Sequence, residues 1–229
     1  VKTQTYHLKI TLLEPMLGTA PANKDIYTSY FKQKSLDAAA KAGVELAPET
    51  IDKQAEDMPD EGESKTTGFH RLPDGRPYIM SYMIGGFMKE AASTLRKVDD
   101  SLIASNSVLR AFRKFVDSQV FFRPHRVPLE VAGQIEWAYV DEMSFSGGGV
   151  SDFQRSLRAS TPMGERVALA KSEVVPPGTS LECTMEVLGD DVDEETLREW
   201  FDYGRRKGLG QFRSSKIYGT FEYELRRLS

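Results

Sequence analysis

Apolar and polar residues alternate along the first stretch of the chain, with Tyr6, Leu8, Ile10 and Leu12 on one side of the pattern. A period of two predicts a half-buried strand. A different period governs residues 81–98. Ile84, Phe87, Met88, Ala91, Ala92, Leu95 and Val98 make one helical stripe, and Lys89, Glu90, Ser93, Arg96 and Lys97 lie off it. The turn signal Pro73-Asp74-Gly75 and the short extended "PYIMS" lead into this helix. Gly85 and Gly86 sit where it starts. Each weakens a helix by about 1 kcal/mol relative to Ala, so something requires a bare backbone there.

Residues 102–116, with Leu109, Phe112, Phe115 and Val116 apolar, predict a second, shorter helix. "QVFFRPHRVPLEV" and "GQIEWAYV" are strand candidates, and "FSGGGVSDF" is read as a flexible connection. "GERVALAKSEVVPPGTSLECTMEVL" predicts two strands split by the Pro176-Pro177-Gly178 turn. The last helix is well punctuated. Asp191 and Asp193 are cap candidates, Glu194 and Glu195 fill the first turn, and Leu197, Trp200, Phe201 and Gly204 form the buried stripe. Arg205, Arg206 and Lys207 fill the last turn, Gly208 is placed to end the helix, and "KIYGTFEYELRRL" follows as the final strand. Strand, insertion, helix, strands, helix, strand is an α+β order. It predicts a ferredoxin-like, RRM-like β-α-β-β-α-β core in a single domain over residues 1–229. Such a sheet commonly presents one face to single-stranded RNA.

Composition changes this picture little. The chain has 229 residues, 40% of them hydrophobic and 28% charged, the ordinary balance of a water-soluble globular protein. No apolar run approaches the ~20 residues of a membrane helix. The first residues lack the apolar core of a signal peptide. With Cys183 as the one cysteine, placed on an alternating strand, the expectation is a reducing, cytoplasmic compartment and a buried thiol without chemistry. Charge distribution says more than the net −4. Residues 36–63 hold nine Asp or Glu against two Lys, a net −7, which leaves the rest at +3. From Arg205 onward, seven Lys or Arg face two Glu. The acidic tract belongs to residues 15–75, read as a partly helical insertion containing "DIYTSYFKQKSLDAAAKAGVEL" and a mobile acidic loop.

The candidate chemistry centres on "KGLGQFRSSKIYGTFEYEL". Gly208, Gly210 and Gly219 are interleaved with Lys207, Arg213 and Lys216. Glycines allow positive φ and close approach, and successive exposed N–H groups bind anions. The same pattern also suits a helix cap followed by a loop into a strand. No G-K-[ST] opens a helix, so a P-loop is excluded. "FFRPHR" interleaves Phe121 and Phe122 with Arg123, His125 and Arg126, residue types that stack on bases and neutralise phosphates. The alternative is a strand with its phenylalanines in the core.

"GRPYIMSYMIGGFMKEAA", "ERVALAKSEVVPPGTSLECTMEV" and "GLGQFRSSKIYGTFEYEL" together resemble, in family order, three segments of the RAMP superfamily of CRISPR-associated proteins. The match covers roughly 70 residues and departs from the family pattern at three points, one being that the insertion over residues 15–75 has no counterpart. Phe87 and Met88 separate Gly85 and Gly86 from Lys89, and the glycine loop ends in "IYGTF". The resemblance implies a backbone-type subunit that holds guide RNA by its sugar–phosphate chain. Its partners would be single-stranded RNA, other subunits of a ribonucleoprotein, and copies of itself along a filament. Neither cofactor nor metal is expected, nor contact with a membrane. The implied RNA contacts are Gly85, Gly86, Lys89, Arg123 and Arg126 on one wall, and Lys207, Gly210, Arg213, Lys216 and Gly219 on the other. Two further readings stand beside this one. A metal-independent endoribonuclease of the same superfamily would use His70 with Tyr78 or Lys89, and the family's target-RNA cleavage by a loop Asp after the first strand would fall to Asp25. An interaction or decoy protein would use the acidic insertion to occupy a partner's nucleic-acid groove.

Overall fold

The computed structural model describes residues 2–21, 67–132, 143–144, 150–161, 164–211 and 218–228. The expectations placed on Asp25, Arg213, Lys216, the helix of the insertion and the strand "GQIEWAYV" lie outside these residues. The α+β class holds.

The main sheet takes its strands from distant parts of the chain. β1 (Thr3–Leu12) pairs with β12 (Ser180–Leu188) on one side and β13 (Phe221–Arg227) on the other, and β7 (Val120–Arg123) pairs with the far side of β12. All three pairings are antiparallel. The strand order, last, first, third, second, is compatible with the expected β-α-β-β-α-β arrangement. Alternation along β1 buries Tyr6, Leu8, Ile10 and Leu12, as its period requires. The helices α1 (Tyr82–Leu95), α2 (Leu102–Ser105), α3 (Phe112–Gln119) and α4 (Glu194–Asp202) complete the described helical set.

The largest fully buried side chains include Trp200, Tyr6, Phe87, Phe201 and Phe221. Burying each one fully stabilises the fold by about 1.5–3 kcal/mol. Phe87 of α1 stacks on Phe201 of α4, with ring centroids 6.2 Å apart, and meets Phe221 of β13 edge-on at 4.9 Å. The buried Trp200 indole donates to the Met88 carbonyl at 2.6 Å, so α4 is tied to α1 by a polar contact as well as by packing. At the start of α4 the Asp193 carboxylate accepts the Thr196 N–H at 2.8 Å, so Asp193 is the cap.

Two further sheets complete the described strands. β2 (Met16–Leu17), β3 (Ala20–Pro21), β4 (Thr67–Gly68), β9 (Met143–Ser144), β10 (Ser151–Thr161) and β11 (Gly164–Val175) form one. β5 (His70–Arg71), β6 (Pro77–Met80) and β8 (Arg126–Pro128) form the other.

Several expectations need correction. α1 ends at Leu95, and Val98 lies beyond it, exposed. The helix expected over 102–116 is two short helices joined by a 3-10 turn (Val108–Ala111), with Asn106 capping the Val108 N–H. "QVFFRPHRVPLEV" is two strands in different sheets, broken at a cis Arg123–Pro124 bond. Gly208 does not end the last helix, because a 3-10 turn (Tyr203–Arg205) closes on Arg206 first. β10 has no counterpart in the sequence pattern.

Candidate nucleic-acid interface

The open face of the main sheet is the first place to look for RNA. Register puts Lys9 beside Glu182 and Glu224, and Thr11 beside Glu222. Glu186 lies on the same face, next to Phe121 of β7. Lys9 and His7 both reach Glu182, at 3.5 and 3.3 Å. The same register places Arg226 beside His7 and Arg123 beside Thr184, so the four glutamates share this face with Lys9, His7, Arg226 and Arg123, and Phe121 lies at its edge. Charges of both signs are interleaved on this face, so it offers no concentrated basic surface.

The basic candidates gather at the sheet's edge instead. β6 runs into α1 through Ser81, and β7 turns into β8 through Pro124 and His125. The two bends are joined by the Ser81 N–H donating to the His125 carbonyl at 2.8 Å, and the Ser81 hydroxyl lies 3.5 Å from the His125 Nδ1. Between these bends, α1 and α3 lies a cleft of about 470 Å³. Gly85, Lys89, Arg123 and Arg126 all line it, so four of the sequence candidates meet in one place. Lys89 pairs with Asp117 of α3. The Arg126 guanidinium lies 5.7 Å from the centre of the Tyr78 ring, on which His70 also stacks. Arg123 has no ion-pair partner among the described residues. The start of α1 adds its partial positive charge to that of these side chains.

The glycines divide into two kinds. A β-carbon on Gly208 would sit 1.9 Å from the Gly219 backbone, and one on Gly219 (φ +68°) would sit 1.9 Å from the Leu209 carbonyl oxygen. On Gly210 (φ +85°) it would meet Leu17 and Met16 of β2 at 2.7 Å. Three N–H groups of the described part of this loop are spent inward. Leu209 donates to Gly219, Gly219 to Pro15 and Gln211 to Leu17. Close backbone packing thus accounts for the three loop glycines. Gly85 and Gly86 differ. A β-carbon on Gly85 would make one ordinary contact, 3.5 Å from Val116, and one on Gly86 would meet nothing within 4 Å. The fold does not require glycine at either position.

None of the described loop residues lines the cleft. The loop reaches α1 through Lys207, which pairs with Glu90. At about 100° per residue, Gly86 falls on the helix surface between Lys89 on the cleft side and Glu90 on the loop side. Of the second expected wall, Lys207 thus reaches the flank of α1 opposite Lys89, with a bare backbone position between them.

The catalytic candidates fare differently. His70 is buried, 6% exposed, and lies with Tyr78 in a separate small cavity away from Lys89. His125, which sequence reasoning treats only as part of a basic strand, lines the cleft. So does Tyr82, which sequence reasoning does not single out. Its signal would be an aromatic residue next to paired glycines at a helix start.

No family model matches the sequence, and no curated protein does either. Solved structures do offer a likeness. The chain is similar in fold to one in the cryo-EM structure of the Type III-B Cmr-beta bound to cognate target RNA. The TM-score is 0.51 at 11% identity, and the whole of this chain matches 61% of that one. The chain thus spans under two thirds of its neighbour's length, and at this identity the likeness is one of fold.

Proposed function

We propose that this chain binds the sugar–phosphate backbone of single-stranded RNA, as a subunit of a CRISPR-type ribonucleoprotein. The observation that carries the reading is the convergence of Gly85, Lys89, Arg123 and Arg126 on one cleft at the start of α1. Arg123 and Arg126 supply charge for phosphates, and Lys89 can exchange Asp117 for a phosphate oxygen. Gly85 and Gly86 let a backbone approach the helix closely, which gives their helix-weakening cost a function. The fold likeness to a chain of an RNA-bound Cmr complex supports the same reading. RNA partners and neighbouring subunits follow from it.

Filter binding of oligouridine over a range of salt tests this. Removing one phosphate-neutralising cation lowers the slope of log affinity against log salt by about 0.7 for a single strand. Arg123→Ala with Arg126→Ala should bind more weakly, with a slope shallower by about 1.4. Equal affinity and equal slope would refute the cleft as the binding site.

A further inference from the structure

Two exposed aromatic side chains line this cleft. Tyr82, the first residue of α1, is 58% exposed, and Phe121, on the edge strand β7, is 38% exposed. Among the described residues, the other large hydrophobic side chains exposed at this level are aliphatic: Leu13, Val98, Leu102 and Leu228. Tyr82 and Phe121 come from different elements and share the cleft with Arg123, Arg126 and Lys89. An exposed aromatic ring costs solvation without stabilising a core, so two of them in one basic cleft point to a flat, apolar-faced ligand that also carries negative charge.

We infer that the cleft takes in one nucleobase of the bound strand and stacks it on Tyr82 and Phe121. The flanking phosphates would lie on Arg123, Arg126 and Lys89. This rests on the RNA-binding reading and goes beyond it, because a backbone grip alone needs no base. The cavity, about 470 Å³, falls within the ~300–1,000 Å³ typical of small-ligand sites and suits a single nucleotide. Stacking is tolerant of sequence, since every base has a π-face. The site therefore fixes the register of the strand at one nucleotide without reading which base is there.

The test uses the full chain with three probes: oligouridine, the same oligomer with 2-aminopurine replacing uracil, and an abasic ribose-phosphate oligomer of equal length. Wild type should quench 2-aminopurine on binding and bind the abasic oligomer more weakly. Tyr82→Ala and Phe121→Ala should each weaken oligouridine binding by about 5- to 150-fold, the range measured for loss of a base–aromatic stack, and remove the quenching. Tyr82→Phe should retain both, which separates stacking from any role of the hydroxyl. Circular dichroism with thermal melting checks that each variant is folded. Equal binding of the abasic oligomer by wild type, with no quenching, overturns the stacking inference and leaves the backbone reading intact. Absence of binding to every probe overturns both.

Discussion

Two glycines of this chain would respond to alanine in opposite ways. Gly86→Ala places a methyl group in open space within a helix, while Gly219→Ala drives one into the Leu209 carbonyl at a positive φ. Urea unfolding should find Gly86→Ala more stable by about 0.5–1 kcal/mol, the ordinary cost of glycine in a helix. The same measurement should find Gly219→Ala less stable by about 1–3 kcal/mol, the cost of overpacking and backbone strain. If Gly86 is bare so that RNA can approach, the stabilised variant should bind oligouridine more weakly. Unchanged binding would leave its bareness without a function. Cys183 gives a simpler expectation. Burial pushes its thiol up to about 12, so it should resist thiol reagents at neutral pH until the protein unfolds. Rapid labelling of the folded chain would contradict its placement.

Among elements, α4 is the most fully specified locally. Hydrogen bonds from the Thr196 hydroxyl and N–H hold the Asp193 carboxyl below its ordinary value. A folded-state value below the unfolded one means that the cap stabilises above the unfolded carboxylate range, and that this stability is lost as pH falls through the folded value. Asp193→Asn keeps a capping oxygen but does not titrate. Its melting temperature should therefore fall less than that of wild type between about pH 5 and pH 2. Identical pH profiles would remove the cap from the acid sensitivity of the fold. α4 was legible because its cap, acidic first turn and apolar stripe all agree, and so was β1, where a strict alternation runs into a buried face. β10 was not. Its sequence "SDFQRSLRAST" carries few apolar residues, and its strand character comes from an eleven-residue pairing with β11 that no local pattern encodes. Tertiary context also divided "QVFFRPHRVPLEV". Phe122 is buried while Phe121 is exposed in the cleft, a difference that depends on which face of β7 meets the helices.

At the scale of the molecule, the charges are arranged by place rather than by total. The open sheet face interleaves four glutamates with Lys9, Arg226 and Arg123, and Arg123, Arg126 and Lys89 line the cleft at its edge. The sequence located four of the cleft residues and singled out Gly85 and Gly86, but it also assigned Gly210 and Gly219 to the ligand. In the structure those two serve close packing, while Gly85 and Gly86 are the ones the fold leaves unexplained. The two kinds were not separable beforehand, because a glycine required by a backbone contact and one left bare for a ligand look the same in sequence. The central claim is that single-stranded RNA runs through the cleft at the start of α1. Photo-crosslinking of 4-thiouridine RNA to the full chain, followed by peptide mapping, tests it most directly. The account predicts crosslinks within residues 80–89 and 120–126, and crosslinks confined to the open sheet face around Glu182 and Glu224 would contradict it.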